Sequence, residues 1–387
     1  MPIITSLLQN DLYKFTMGQV AFHRFPDKFV AYRFKCRNKG VNLVLYMKEI
    51  EEEIQEYCKL RLTVEECEYL YGTGLFKHDY LNFLGSLQTD PGSVYISHTT
   101  DELIIEVSGL WPNVILFEVP ILAIVNEVYF RHQNPMGKNP IAIGMDTLDD
   151  KIHHICENTG PDFKLAEFGT RRRYSAAWQS QVVQMLGAGM SQRFAGTSNV
   201  RLAMDHKCPV VGTMAHEYLQ VFQALGRLKD CQKQALQTWA DEYRGKLGIA
   251  LTDTLGLDVF LRDFDLYFAK LYDGVRHDSG DPFIWMGKIL KHYEGLGIDP
   301  TTKTAVFSDG LDPKLAIALY QAFQGKMKLM FALGTNLSND VGFDPLNIVM
   351  KMVYCDNQPV CKLSDSPGKE MCPDDDYVKY VKNLFMI

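Results

Sequence analysis

Apolar and polar positions alternate along this chain in two different ways. From Phe29 to Arg37, the set Val30, Tyr32, Phe34 and Cys36 alternates with Ala31, Arg33, Lys35 and Arg37, which predicts a half-buried strand. Val94–Ser97 and Leu103–Val107 predict two more strands. Gln9–Gly18 predicts a helix with a polar, capped start, and Lys48–Arg61 a charged helix. Residues 1–118 therefore read as an α+β domain with antiparallel pairing and no catalytic constellation of its own.

After Pro120 the period changes. Helical stretches at Ile121–His132 and Thr147–Asn158 lead into a series in which short apolar runs alternate with helices. The runs end at Glu167-Phe168-Gly169-Thr170, Ala195-Gly196-Thr197-Ser198-Asn199, Val211 to His216, Leu251-Thr252-Asp253-Thr254, Gly274 to Asp281, Val306 to Gly310 and Ala332 to Asn336. Helices are expected over Glu217–Leu225, Cys231–Tyr243, Asp258–Leu271, Phe283–Gly295 and Pro313–Gln324. This plan predicts a closed or nearly closed α/β barrel over residues 119–345. The carboxyl ends of such strands open on one face, and each run here ends in Gly, Thr, Ser, Asp, Arg or His. Residues 346–387 form a last segment. Asp356-Asn357-Gln358-Pro359 lies there between two apolar runs and reads as a hairpin returning to the first domain.

Arg171-Arg172-Arg173 follow one strand end, and Ser175 is placed to cap the helix that comes next. A helix start favours an anion, and arginine adds a forked donor for phosphate or carboxylate. The chain as a whole has a net charge of -7 and a pI near 5.8, which argues against nucleic acid or an anionic membrane as main partner. A basic cluster in an acidic protein points to a small anionic ligand. Nine cysteines without C-x-x-C spacing read as reduced cytosolic thiols, with neither a disulfide framework nor a zinc site. No signal peptide is evident, and the most apolar segment, Val114–Val125, is interrupted by Glu118 and Pro120 and is too short to span a bilayer.

The strand-end residues define the candidate chemistry. Asp253 and Asp278 can hold Mg²⁺ or sugar hydroxyls, while Asp281 fits a helix cap better. Ser308, Asp309 and Gly310, with Gly334 and Thr335, suit a phosphate. Arg171 and Arg276 suit the anionic ends of a ligand. His216 can act as a nucleophile toward phosphorus or as a base, and His277 competes for that role.

Taken in order, Asn10 to Met17, Glu167 to Arg173, Gly196 to Asn199, Gly212 to Glu217, Asp278 to Pro282, Phe307 to Leu311 and Gly334 to Leu337 resemble the nicotinate phosphoribosyltransferase family in its short bacterial form. The resemblance implies an irregular, incomplete α/β barrel of the type II phosphoribosyltransferases beside an N-terminal α+β domain. It implies a cytoplasmic homodimer with sites completed across the interface. The expected reaction takes nicotinate and phosphoribosyl pyrophosphate to nicotinate mononucleotide and pyrophosphate, with Mg²⁺, and with ATP as co-substrate acting through a phosphohistidine at His216. Tyr13, from the neighbouring subunit, and Phe168 would stack on the pyridine ring. Gly169, Thr170 and Thr197 belong to the same matched motifs and are expected at the substrate. Catalytic roles fall to His216, Asp253, Asp278 and Arg276, with Asp278 as metal ligand.

Related nicotinamide-using enzymes carry an aspartate at the position of Ser198. Serine removes that charge, which favours nicotinate. Three rival readings stay open: nicotinamide as substrate, a non-catalytic barrel that binds a phosphate ligand, and an RNA-binding protein. Lys362 and Lys369 lie in the last segment with no role assigned from sequence.

Overall fold

A computed structural model describes residues 2–133, 139–366 and 371–387. The chain forms two compact units. The first comprises Met1–Asp27, Ala31–Gly212 and Leu333–Lys351, and the second Lys28–Val30, Thr213–Ala332 and Met352–Ile387.

In the first unit, the helix Leu12–Arg24 buries every residue from Leu12 to Ala21, polar ones included. It is a core helix. The expected capped start is absent. Asp11 occupies the N-cap position without a side-chain cap, and its Oδ1 instead accepts from Ser198 Oγ at 2.7 Å. Strand β1 (Phe29–Cys36) buries Val30, Tyr32 and Phe34, as its alternation predicts. The helix Met47–Cys58 exposes Lys48, Glu51, Glu52 and Glu56 and buries Ile50, Ile54, Tyr57 and Cys58. Strands β2 (Val94–His98) and β3 (Leu103–Leu110) pair antiparallel from Val94↔Val107 to His98↔Leu103.

The apolar stretch is longer than the sequence suggested. Trp111–Arg131 is long and apolar enough, by length and composition alone, to cross a bilayer. It is a core segment here, because 78% of its most apolar window is buried inside the protein. Its buried Glu118 is paired with Lys14. Further along, β4 (Lys164–Glu167) and β5 (Phe194–Thr197) are parallel, ending with Glu167 beside Thr197. The helix Ala176–Gly189 connects them, and Ser175 caps it by accepting from Trp178 N.

The second unit repeats the strand–helix plan. Strands β6 (Ile249–Leu251), β7 (Gly274–His277), β8 (Thr304–Phe307) and β9 (Lys328–Leu333) run parallel in that order, in registers Leu251↔Arg276, His277↔Phe307 and Phe307↔Phe331. The helices His216–Leu225, Cys231–Tyr243, Pro282–Gly295 and Pro313–Phe323 form where expected. Two expectations change. The run at Val211 makes a single parallel bridge, Thr197↔Val210, in place of a strand. The helix expected over 258–271 is two, Leu257–Asp263 and Leu266–Leu271, because Asp265 accepts from Tyr267 N and Phe268 N and starts a new helix. The late hairpin is present. Asp356 and Asn357 take φ +48° and +63°, and Tyr354 pairs with Pro359.

Candidate active site

Parallel register brings the carboxyl ends of β6, β7 and β8 side by side, so Asp253, Asp278 and Ser308 leave neighbouring strands at one level. His216 begins the helix His216–Leu225. Its Nε2 lies 2.8 Å from Asp253 Oδ1 and 3.6 Å from Asp278 Oδ2. The other oxygen of Asp253 is also engaged: Lys362 Nζ stands 2.8 Å away and Ser279 Oγ donates at 2.6 Å. Lys362 is only 3% exposed and reaches Asp278 Oδ2 at 3.9 Å. Ser308 Oγ donates to Asp278 Oδ1 at 2.9 Å. Sequence reasoning left Lys362 without a place; nothing in the pattern of the last segment signals its contact with Asp253. Lys369 lies outside the described residues.

Burial makes charging His216 costly and, with the ammonium of Lys362 nearby, lowers its pKa to about 4. The imidazole is therefore neutral at pH 7. Burial opposes ionisation of Asp253, but the hydrogen bond from His216 and the charge of Lys362 outweigh it and hold the carboxyl well below its ordinary value. An ionised carboxylate 2.8 Å from Nε2 keeps the proton on Nε2. The lone pair of His216 is then on Nδ1.

The ligand atoms of His216, Asp253 and Asp278 lie within 4.8 Å of one another. They do not form a metal cage of their own. Both Asp253 oxygens are taken, and Lys362 already supplies positive charge. Asp278 is 27% exposed and is the carboxylate with room for an ion. One carboxylate beside a polyphosphate suits Mg²⁺.

Arg276, on β7, is buried with its Nε lacking a hydrogen-bond partner among the described residues. A buried, unsatisfied guanidinium N–H is a standing donor for an anion. The competing histidine does not join this group. His277 is buried against Trp285 and Phe307, and its Nε2 lies 3.2 Å from Gly280 O. Asp281 caps the helix Pro282–Gly295 through Phe283 N and Ile284 N. Asp309 is half-buried and Gly310 exposed, the latter at φ +59°.

The first unit holds the other predicted residues. Arg171 is 50% exposed, with Nη1 3.6 Å from Glu118 Oε1. Phe168, Gly334 and Thr335 are half-buried beside the Gly169 turn. Here glycine is required: a Cβ on Gly169 would fall 2.0 Å from Ser338 Oγ, and one on Gly334 2.9 Å from Phe168 O. Thr170 and Thr197 are buried framework. Thr170 Oγ1 accepts from Gln179 Nε2 at 3.0 Å, and Thr197 Oγ1 donates to Glu167 Oε2 at 2.6 Å. Tyr13 is buried on the helix Leu12–Arg24. Ser198 is enclosed as well. It is 0% exposed and its hydroxyl donates to Asp11, so it presents neither an open donor nor a carboxylate-free position.

A neutral histidine oriented by a carboxylate, a buried arginine and a reachable carboxylate at parallel strand ends define a class: phosphoryl- or phosphoribosyl-handling α/β enzymes. The comparisons narrow it. Residues 163–387 match the nicotinate phosphoribosyltransferase (NAPRTase) family and residues 8–126 its N-terminal domain. The chain is 52% identical over 394 residues to the nicotinate phosphoribosyltransferase of Burkholderia mallei, covering 100% of this chain and 97% of that protein. It is 50% identical to that of Xylella fastidiosa, covering 99% and 98%. Among solved structures, nicotinate phosphoribosyltransferase from Vibrio cholerae superposes with a TM-score of 0.95 at 37% identity, covering 100% of this chain and 94% of that one. The enzyme from Porphyromonas gingivalis gives 0.93 at 36%, covering 100% of both. The chain belongs to the nicotinate phosphoribosyltransferase family, with that family's irregular, incomplete α/β barrel and N-terminal α+β domain.

Proposed function

We propose that the protein transfers the phosphoribosyl group of phosphoribosyl pyrophosphate to nicotinate, giving nicotinate mononucleotide and pyrophosphate for NAD synthesis, and that ATP drives the reaction through phosphorylation of His216. The observation that carries the phosphohistidine step is the His216 Nε2–Asp253 contact of 2.8 Å, backed by Lys362. Nδ1 attacks the terminal phosphorus of ATP. The N–P bond forms as the bond to the ADP oxygen breaks, and the leaving electron pair goes to ADP. The ring becomes cationic, with its Nε2 proton retained, and Asp253 stabilises that charge. Hydrolysis of the phosphohistidine later releases phosphate.

At the sugar, the pyridine nitrogen brings its own lone pair, so no general base is required. Breaking the bond from C1 to pyrophosphate is the barrier. Arg276, with its unsatisfied Nε, and half-exposed Arg171 suit the anionic groups. Asp278 suits a ribose hydroxyl or Mg²⁺. When bound, Mg²⁺ supplies charge neutralisation on the leaving group. Within the second unit Ser308 and Gly310, and within the first Gly334 and Thr335, each offer a hydroxyl or backbone N–H groups that suit phosphate. The choice of nicotinate over nicotinamide rests on the relatives, since Ser198 is committed to Asp11.

The test is nucleotide formation from phosphoribosyl pyrophosphate with nicotinate or nicotinamide, with and without Mg-ATP, for the parent and His216→Ala. Nicotinate turnover stimulated by ATP in the parent, with the stimulation lost in the variant, is expected. A preference for nicotinamide would overturn the substrate. No turnover of either base by the folded protein would leave a phosphate-ligand binding barrel.

A further inference from the structure

Nine cysteines are present and none is in a disulfide, and two of them, Cys361 and Cys372, flank a backbone bridge at Lys362. Lys362 and Met371 form an antiparallel bridge. One step back from Lys362 and one step on from Met371, the directly opposed residues are Cys361 and Cys372. Opposed residues of an antiparallel pair have Cα atoms about 4.5–5.5 Å apart, inside the window of about 4.4–6.8 Å that a disulfide spans.

Cys372 Sγ donates to Asp374 O at 3.4 Å. The side chain of Cys361 is the main reason the Cys372 thiol titrates below its ordinary value, which favours the reactive thiolate. Access differs between the two. Cys361 is fully buried, and Gln223 pins its backbone, donating to its carbonyl at 2.7 Å and accepting from its N–H at 3.0 Å. Cys372 is half-buried.

We propose that Cys361 and Cys372 are a dithiol that a hydroperoxide closes to a disulfide, restraining the segment that carries Lys362. The Cys372 thiolate attacks the peroxide. An S–O bond forms, the O–O bond breaks, and the leaving oxygen departs as water or alcohol. Cys361 then attacks the sulfenic sulfur. The S–S bond forms, the S–O bond breaks, and the hydroxyl leaves as water with the Cys361 proton. Two thiols are oxidised and one peroxide is reduced. Because Lys362 holds Asp253, the linked form is a switch on the site. This consequence rests on the function proposed above.

The experiment treats the full chain with hydrogen peroxide, blocks remaining thiols with an alkylating agent, and maps tryptic peptides by mass spectrometry. Peptides 352–362 and 370–379 should appear joined with the loss of two hydrogens, separate again with dithiothreitol, and stay separate in Cys372→Ser. The first peptide also holds Cys355, so Cys355→Ser should keep the linkage. Nucleotide formation, measured first on the reduced protein, is expected to fall at least twofold in the linked form and to recover on reduction. Oxidation of Cys372 to sulfinic acid with Cys361 still open to alkylation once unfolded would overturn the pairing. Linkage with unchanged turnover would overturn the switch. A reduced protein with no turnover would count against the enzyme reading alone, since the peptide map tests the pairing without it.

Discussion

Arg171, Arg172 and Arg173 are alike in sequence and unlike in task. Arg171 stays half exposed near Glu118. Arg172 turns onto the backbone, donating to Ile348 O at 2.9 Å and to Asn347 Oδ1 at 2.9 Å. Arg173 is buried, 3.9 Å from Glu127 and bonded to Gln179 and Ile3 O at 3.4 Å each. Truncation should therefore separate binding from stability. Arg171→Ala is expected to raise the KM of an anionic substrate by about 10-fold or more, the worth of a charged hydrogen bond, with denaturant unfolding unchanged. Arg173→Ala is expected to cost about 3 kcal/mol or more, since it empties a fully buried side-chain site and removes one of the cations facing the half-buried Glu127. Equal stability losses in the two variants would show this division to be wrong. Lys362→Met makes a second case. Without its charge His216 titrates at higher pH beside an ionised Asp253, and a protonated ring has no lone pair to offer. Phosphoenzyme formation from ATP should keep its plateau in the variant, but with its acid limb moved up by about one pH unit or more. An unmoved limb would remove Lys362 from this role.

Caps and strand ends decide what each element contributes. Asp281 illustrates this, because its side chain serves two backbone N–H groups of the helix Pro282–Gly295 and no substrate role is needed to explain it. Asp281→Ala is expected to lower stability by about 1 kcal/mol and to leave kcat for nucleotide formation near the parent value. A large loss of kcat at unchanged stability would place Asp281 in the chemistry. Elements with local signals were legible in the sequence: the alternation of β1, the capped helix at Ser175, the Asp356–Asn357 hairpin, and the strand ends bearing Asp253 and Asp278. What was missed depends on partners distant in the chain. Ser198 reads as a substrate donor until Asp11 accepts its proton. Lys362 has no local mark at all. The break at Phe264 was local, but Asp265 was one more charge in a helical pattern and its capping geometry could not be read.

At the scale of the whole molecule, two buried groups, one in each unit, oppose each other in pH dependence. His216 has its pKa lowered by burial from 6.5 to about 4. Between those values the folded chain leaves it neutral while the unfolded chain protonates it, so stability rises with pH. Glu167 is raised by burial from 4.5 to about 7 despite hydrogen bonds from Thr197, Gln179 and Gly169. Between those values the folded chain keeps the proton and the unfolded chain has lost it, so stability falls with pH. Each slope amounts to about 1.4 kcal/mol per pH unit, and across the shared window of 4.5–6.5 they cancel in the sum. Removing either group should uncover the other. Between pH 5 and 6.5, Glu167→Gln is expected to gain about 2 kcal/mol relative to the parent's own change, and His216→Asn to lose about as much. The double variant should return close to the parental dependence, because the two opposing slopes are removed together. Urea unfolding at the two pH values measures this directly. If both single variants keep the parental slope, neither group is held in the protonation state that its burial dictates, and the proposal of a neutral Nδ1 nucleophile at His216 loses its physical basis.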